Sequence, residues 1–408
     1  MLPDIYFFNP TCETAIANGS PYYTAPSRLR NFESDLSYLP IWLAEEKDQV
    51  LVQGRISEDF ELKLKVLGFQ LPEVFQLDTV LADPVWMGRP KGWLYPWGWS
   101  PATVQLFREV APVCLEAYRS SAIAGWNPSH KSLYSRVTSM QLLSDIIENS
   151  TANWLPDLST VPVICTTHEE IYHQINLSER AVVKSPWSSS GRGLLLFPNP
   201  DSKVKNNEVL SGMLKQQGFV TVEPWQDKVV DLSFQFYSRN GEISYMGRTF
   251  FETDGKGRYQ RNFLTDRVHL STGVNDFLDE HHSDVVDLLQ KALQSSGYRS
   301  LYEGWIGIDA LVFKTETGKI KLQPLVEING RFTMGAIALR MRKHLAPGSN
   351  GFLQIFYSKS GNFFDFCRKQ ELAKPLEIIA GKIAKGFLPI TPPLADHHFG
   401  AYIEVTEE

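Results

Sequence analysis

Hydrophobic and polar positions alternate most cleanly between Trp305 and Arg331, WIGIDALVFKTETGKIKLQPLVEINGR. Ile306, Ile308, Ala310 and Val312 share one face of a predicted strand, and Asp309 takes the other, because side chains alternate along an extended chain. Glu316-Thr317-Gly318 suits a three-residue hairpin loop with Gly318 in the left-handed conformation. That register sets Asp309 opposite Leu325 and diagonal to Glu327. It also keeps Glu327, Asn329 and Arg331 on the Asp309 face. Diagonal neighbours stand roughly 7–8 Å apart, close enough for two partly buried carboxylates to call for a cation. Carboxylate and amide oxygens at that spacing suit Mg²⁺, which often binds together with substrate phosphates. A surface hairpin with solvated acids gives the same pattern, so this stretch alone does not decide.

The other periodic segments supply context. Residues 1 to about 125 alternate short apolar strands (Ile5–Phe8, Val50–Val52) with helices (Leu39–Ala44, Phe60–Leu67 closed by Gly68), which predicts a parallel sheet. Thr11–Phe32 reads as a long polar loop holding Glu13, Arg28 and Arg30. Its two arginines either clamp an anionic substrate or lie on the surface. Gly92–Ser100 is dense in tryptophan, expected to pack between domains, and Ser100 caps a helix with Pro101 at its first position. Beyond Pro128 a helix is predicted over His130–Asn149, carrying Lys131 and Arg136, and another over Thr167–Asn176. His168 and His173 on the latter are assigned no role.

Arg180–Phe197 reads as strand, loop, strand. Ser188, Ser189, Ser190, Gly191, Arg192 and Gly193 can turn backbone N–H groups toward an anion, and Lys184 can reach the same anion as a point charge. A flexible hairpin tip is the competing reading, and no G-K-[ST] follows. Phe219–Tyr237 reads as strand, turn, strand, with Glu223 before Pro224. Asp231, Ser233 and Gln235 form a polar face that either binds ribose hydroxyls or faces solvent. Glu242–Phe251 continues the sheet and carries Arg248 near an Asp254–Arg258 loop. Asp279–Ser295 is an amphipathic helix, a helix follows Arg331, and the tail adds strands at Leu376–Ile379 and Tyr402–Val405.

Composition narrows the classes. A chain of 408 residues exceeds one ordinary core, so two or three domains are expected. With 43% hydrophobic and 21% charged residues it is of soluble globular type. A net charge of −6 without a long basic run argues against nucleic-acid binding. Four scattered cysteines lacking a C-x-x-C pair fit reduced thiols. No signal peptide and no run of about 18 apolar residues is present. A cytoplasmic protein with no membrane partner is the expectation.

The order of the signals carries more than any one of them. An α/β unit, Lys184 with its Ser/Gly loop (VVKSPWSSSGRG), Glu223-Pro224, Asp309 and finally E-x-N-x-R (Glu327, Asn329, Arg331) follow one another. This resembles the ATP-grasp superfamily, particularly its carboxylate–amine or thiol ligases, over about residues 125 to 345. The resemblance implies an α/β (α+β ATP-grasp) fold. It divides the chain into a parallel-sheet pre-ATP-grasp domain (1–125), a small subdomain (126–222), a large subdomain with the metal site (223–370) and a C-terminal extension (371–408). The two subdomains would enclose a nucleotide cleft. It implies that Lys184 contacts the nucleotide phosphates, that residues 188–193 close over them, and that Lys131 or Arg136 adds a basic contact. Glu223 would sit beside adenine with backbone groups near Trp225 reading the base edge, and Asp231 would meet the ribose. Glu223 and Asp231 are spaced more widely than in many members, which weakens the ribose assignment. Asp309, Glu327 and Asn329 would hold one or two Mg²⁺ ions, with Mn²⁺ as an alternative. Arg331 would steady an acyl phosphate, and Arg248 is a substrate-side candidate by position alone. The partners implied are a small carboxylate and an amine, and a homodimer is one assembly found among such proteins. A kinase acting on a hydroxyl and a non-catalytic ATP-binding module remain as alternatives.

Overall fold

The structure, a computed structural model, describes residues 1–188, 193–199, 207–267, 270 and 272–407. They form two compact units, one of Met1–Trp126, Gln260–Asp266 and Arg331–Glu408, the other of Asn127–Tyr259 and Arg267–Gly330. The N-terminal residues and the C-terminal tail therefore belong to the same unit.

The first unit contains the expected parallel sheet, with strands in the order Glu73–Gln76, Gln49–Val52, Ile5–Phe7, Leu94–Pro96. Apart from the edge strand Glu73–Gln76, its strands are short and mostly apolar, as buried parallel strands are. Ile5, Val50, Leu51, Val52 and Leu94 are all buried. The helix Glu58–Val66 ends at Gly68, whose φ of +93° is open to glycine. The same unit also holds an antiparallel run in which residues 261–263, Ser349–Tyr357, Phe399–Glu407, Lys382–Pro389 and Glu377–Ile379 are successive neighbours. The helix Phe363–Ala373 covers it through Phe363 and Cys367, which pack on Phe387 and Tyr402.

Two expectations change here. Thr11–Phe32 is mostly helical, with helices Cys12–Asn18 and Ser27–Asp35. The tryptophans of Gly92–Ser100 pack inside this unit: Trp97 against Phe8 and Phe332, Trp93 and Trp99 against Tyr118.

The second unit has two antiparallel layers. The smaller sheet runs Val163–Cys165, Val220–Pro224, Ala181–Lys184, Leu194–Phe197. Helices His168–Asn176 and Asn207–Gln217 pack on it through Ile171, Ile175, Leu210 and Met213. The larger run is Ile320–Asn329, Gly304–Lys314, Asp227–Arg239, Glu242–Thr253. Val220–Pro224 and Asp227–Arg239 thus lie in different sheets, so the chain passes from one layer to the other across Trp225 and Gln226. Two predicted helices are each split. His130–Asn149 is Pro128–Leu133 and Arg136–Glu148, because Ser135 leaves helical geometry and its hydroxyl accepts the Val137 N–H. Asp279–Ser295 is Thr272–Glu280 and His282–Ser295, broken at His281.

The hairpin around Gly318 turns as expected. Gly318 has φ +77°, its N–H donates to Thr315 O, and the Thr315 N–H donates to Lys319 O. The register further up differs. Leu311 faces Gln323, but Asp309 faces Glu327, so Pro324, Leu325 and Val326 stand opposite Ala310 and the strand carries two extra residues there. Proline has no N–H to give the ladder and favours such irregularities. Because the shift is even, Glu327 and Asn329 keep the Asp309 face.

Among the described residues the four cysteines are buried and unbridged, and no helix is long and apolar enough to cross a membrane.

Candidate active site

Lys184 ends the strand Ala181–Lys184, and Glu223 lies on its antiparallel neighbour. Val182 faces Glu223 and Lys184 faces Thr221, so Lys184 and Glu223 are diagonal neighbours on one face and form an ion pair. Both side chains are largely buried, at 8% and 15% exposure. Charges removed from water to this degree are kept only with a close partner.

A second basic group stands beside them. Arg136 is the first residue of helix Arg136–Glu148, which is tied to the edge strand Ile320–Asn329 where the Ile328 N–H donates to Ser139 Oγ at 3.0 Å. The Arg136 guanidinium reaches three groups. Nε donates to Ser185 O at 3.0 Å, Nη2 donates to Ser188 Oγ at 3.2 Å, and Nη2 lies 2.9 Å from Glu327 Oε1. Arg136, Lys184, Thr221, Glu223, Leu325 and Val326 line one narrow cleft. The arginine whose sequence motif was loosest thus joins the start of the Ser/Gly loop to the acidic strand.

Across the hairpin Asp309, on Gly304–Lys314, is directly opposite Glu327, and Asn329 Nδ2 donates to Asp309 Oδ2 at 3.2 Å. Opposed residues are closer than the expected diagonal ones, at roughly 4.5–5.5 Å between Cβ atoms. The donor set is two carboxylates and one amide, all oxygen chemistry, which fits Mg²⁺. Among the described residues no group of three or more His, Cys, Asp and Glu comes within metal-holding reach of one another.

The remaining predicted residues divide. Ser188 touches Arg136, and Gly193, with φ +72°, accepts from the Ser185 N–H at 2.9 Å. A Cβ on Gly193 would press on Ser185 and Ser188. Ser189, Ser190, Gly191 and Arg192 lie outside the described residues. Lys131 stacks its ammonium over the Trp187 ring at 4.6 Å. Trp225 packs its ring beside Gly257, and its backbone N–H donates to Arg180 O. Asp231 lies on the polar face with Ser233, since Asp309 faces Ser233 and Leu311 faces Asp231. Its Oδ2 is bound by Lys228 and Thr253, and burial raises its carboxyl pKa against the pull of Lys228.

Arg248 is not brought to these groups. It faces Phe234, on the apolar face covered by helices, where it donates to Leu278 O and lies 3.8 Å from Asp279. A bulge between Tyr245 and Gly247 changes the alternation and turns it there. Arg28 lies over Tyr357 and Arg30 bonds Ala25 O.

Arg331 belongs to the first unit, two residues along the chain from Asn329. There its Nε donates to Glu13 Oε1 at 2.6 Å and Nη1 to Phe332 O at 3.1 Å. Glu13 was visible in the sequence only as part of a polar segment. The available signal was Asn9-Pro10 just before it, the exit of a parallel strand, where open α/β sheets gather ligand-handling residues. Beside the pair, burial and the Glu13 charge push the Cys12 thiol well above its usual range. Gly98 is packed so closely that a Cβ would collide with Cys12 Sγ and crowd Arg331 Cβ. Gly98→Ala is therefore expected to cost about 1–3 kcal/mol by overpacking, read as a lower urea midpoint at unchanged slope.

No family model matches the sequence, and no curated protein matches it. Solved structures do share its fold. Rhizobium etli pyruvate carboxylase, solved with acetyl coenzyme A, aligns with a TM-score of 0.51 at 11% identity, over 99% of this chain and 36% of that one. L-amino acid ligase from Bacillus licheniformis aligns with a TM-score of 0.50 at 11% identity, over 100% of this chain and 94% of that one. The biotin carboxylase domain of Hydrogenobacter thermophilus 2-oxoglutarate carboxylase, solved with MgADP and bicarbonate, gives 0.50 at 11% identity, over 99% and 86%. These likenesses concern the fold.

Proposed function

Because the chain has the ATP-grasp fold, we propose that it is an ATP-dependent ligase that joins a carboxylate to an amine or thiol through an acyl phosphate. The observation that carries the reading is one cleft lined by Arg136, Lys184 and Glu223, in which Lys184 pairs with Glu223 while Arg136 pairs with Glu327. Asp309 and Asn329 stand beside Glu327 on the same face of the hairpin. That one solved chain of this fold carries MgADP, and another is an L-amino acid ligase, also supports it.

In this reading Lys184 and Arg136 exchange their carboxylate partners for nucleotide phosphates. Lys184 serves as a mobile point charge and Arg136 as a planar fork. Release from Lys184 leaves Glu223 to meet the adenine side, next to Trp225, while Lys131 adds charge nearby. Asp231 meets the ribose through the carboxylate oxygen that Lys228 and Thr253 do not occupy. Asp309, Glu327 and Asn329 hold Mg²⁺, which would neutralise charge on the transferring phosphoryl group. Arg331 receives the acyl phosphate and then the oxyanion formed when the nucleophile attacks. Arg248 takes no part.

The test is phosphate release from MgATP with pooled carboxylic acids and amines or thiols. ADP and free phosphate should appear in equal amounts, only when acid and nucleophile are both present, and should cease with EDTA. A stable phosphorylated alcohol would instead identify a kinase. Saturable ATP binding without ADP across the whole panel would sink the catalytic reading.

A further inference from the structure

The strand Ile5–Phe7 leaves the parallel sheet at its carboxyl edge, and the next residues build a frame. The Asn9 side chain clasps Gly98, donating to its carbonyl at 2.7 Å and accepting its N–H at 3.2 Å. Gly98 in turn bridges the backbone of Arg331, and the Phe332 N–H donates to Trp97 O at 2.8 Å. Thr11 anchors the following helix by donating to Glu33 Oε1 at 2.6 Å. From the first turn of that helix Glu13 takes the Nε of Arg331, with side-chain exposures of 7% and 14%. Backbone and guanidinium of Arg331 are thus both gripped by elements of the parallel-sheet unit.

We propose that Glu13 is the positioning residue for Arg331, fixing the plane of its guanidinium for acyl-phosphate chemistry. The proposal rests on the ligase reading above. A buried ion pair gains little stability over a packed apolar pair, so stability alone does not account for one here. An arginine held along its Nε edge keeps a set orientation, and oriented guanidinium groups are what recognition of a planar or tetrahedral anion uses. The inference gives the N-terminal unit a part in the chemistry beyond its own fold: it holds an arginine that follows the Glu-x-Asn strand in sequence.

The experiment compares wild type, Glu13→Gln, Glu13→Asp, Arg331→Lys and the double variant Glu13→Gln/Arg331→Lys in the pooled assay, with MgADP affinity measured alongside. Glu13→Gln should bind MgADP as wild type does, keep KM for ATP, and lose kcat on the order of 10²-fold, as misplacement of a reacting partner does. Glu13→Asp retains the charge one methylene short and should fall between; it carries the comparison if Glu13→Gln does not fold. In the Arg331→Lys background Glu13→Gln should add little, because its effect runs through the arginine. Wild-type kcat in Glu13→Gln, or losses that multiply fully in the double variant, would overturn the proposal while leaving the ligase reading intact. A wild-type protein with no ADP production across the panel would overturn both.

Discussion

Glu327→Gln should lose ATP turnover by a factor on the order of 10²–10³ or more, the range for removing a preorganised electrostatic group from a reacting site. The carboxylate does two things at once. It faces Asp309 across the hairpin, and it lies 2.9 Å from the Arg136 guanidinium. Glutamine keeps an oxygen for Arg136 but removes the negative charge, so the fold should survive with a loss of about 1–3 kcal/mol, the scale of a hydrogen bond to a charged group. Urea denaturation separates that loss from the kinetic one. The control is Glu316→Gln in the exposed turn of the same hairpin, which should turn over as wild type does. Turnover at the wild-type rate in Glu327→Gln would end the metal assignment.

The second large effect is expected at Lys184. Lys184→Met leaves Glu223 buried at 15% exposure with its cation gone. Breaking a buried pair from one side typically costs about 3–5 kcal/mol, and nucleotide affinity should fall steeply because the phosphates lose their lysine. The double variant Lys184→Met/Glu223→Leu separates the two effects. Replacing both charges by apolar groups of similar size is often neutral, so stability should return toward wild type while ATP binding does not. Melting curves and nucleotide titration on the three proteins decide it. Recovery of ATP binding in the double variant would mean that Lys184 acts on the fold and not on phosphate.

The parts of the molecule legible beforehand are those set by local alternation. The Gly318 turn, the apolar face through Ile306 and Ile308, and the polar face of Asp231 and Ser233 follow from period-two patterning and one left-handed residue. What escaped depends on distant partners. The helix Ser27–Asp35 reads as polar loop because its buried acid Asp35 receives the N–H groups of His398 and Phe399, from the far end of the chain. Arg136 carried only a loose motif, yet it becomes central because Ser185 O and Glu327 converge on it from two different strands' ends. Arg248, a candidate by position alone, lies on the helix-covered face because one irregularity after Tyr245 shifts the alternation of its strand.

The two extra residues between Gln323 and Glu327 have a consequence for comparing this chain with distant relatives. The acid pair is indexed from the Asn329 end of its strand, and the turn end is free to slide against it. A relative whose hairpin is two residues shorter or longer between turn and Glu-x-Asn presents the same oxygens. One that differs by a single residue, without a compensating irregularity, presents them to the opposite side. Alignments through this hairpin should therefore open gaps in pairs, anchored on Asp309 and Glu327 and not on Gly318.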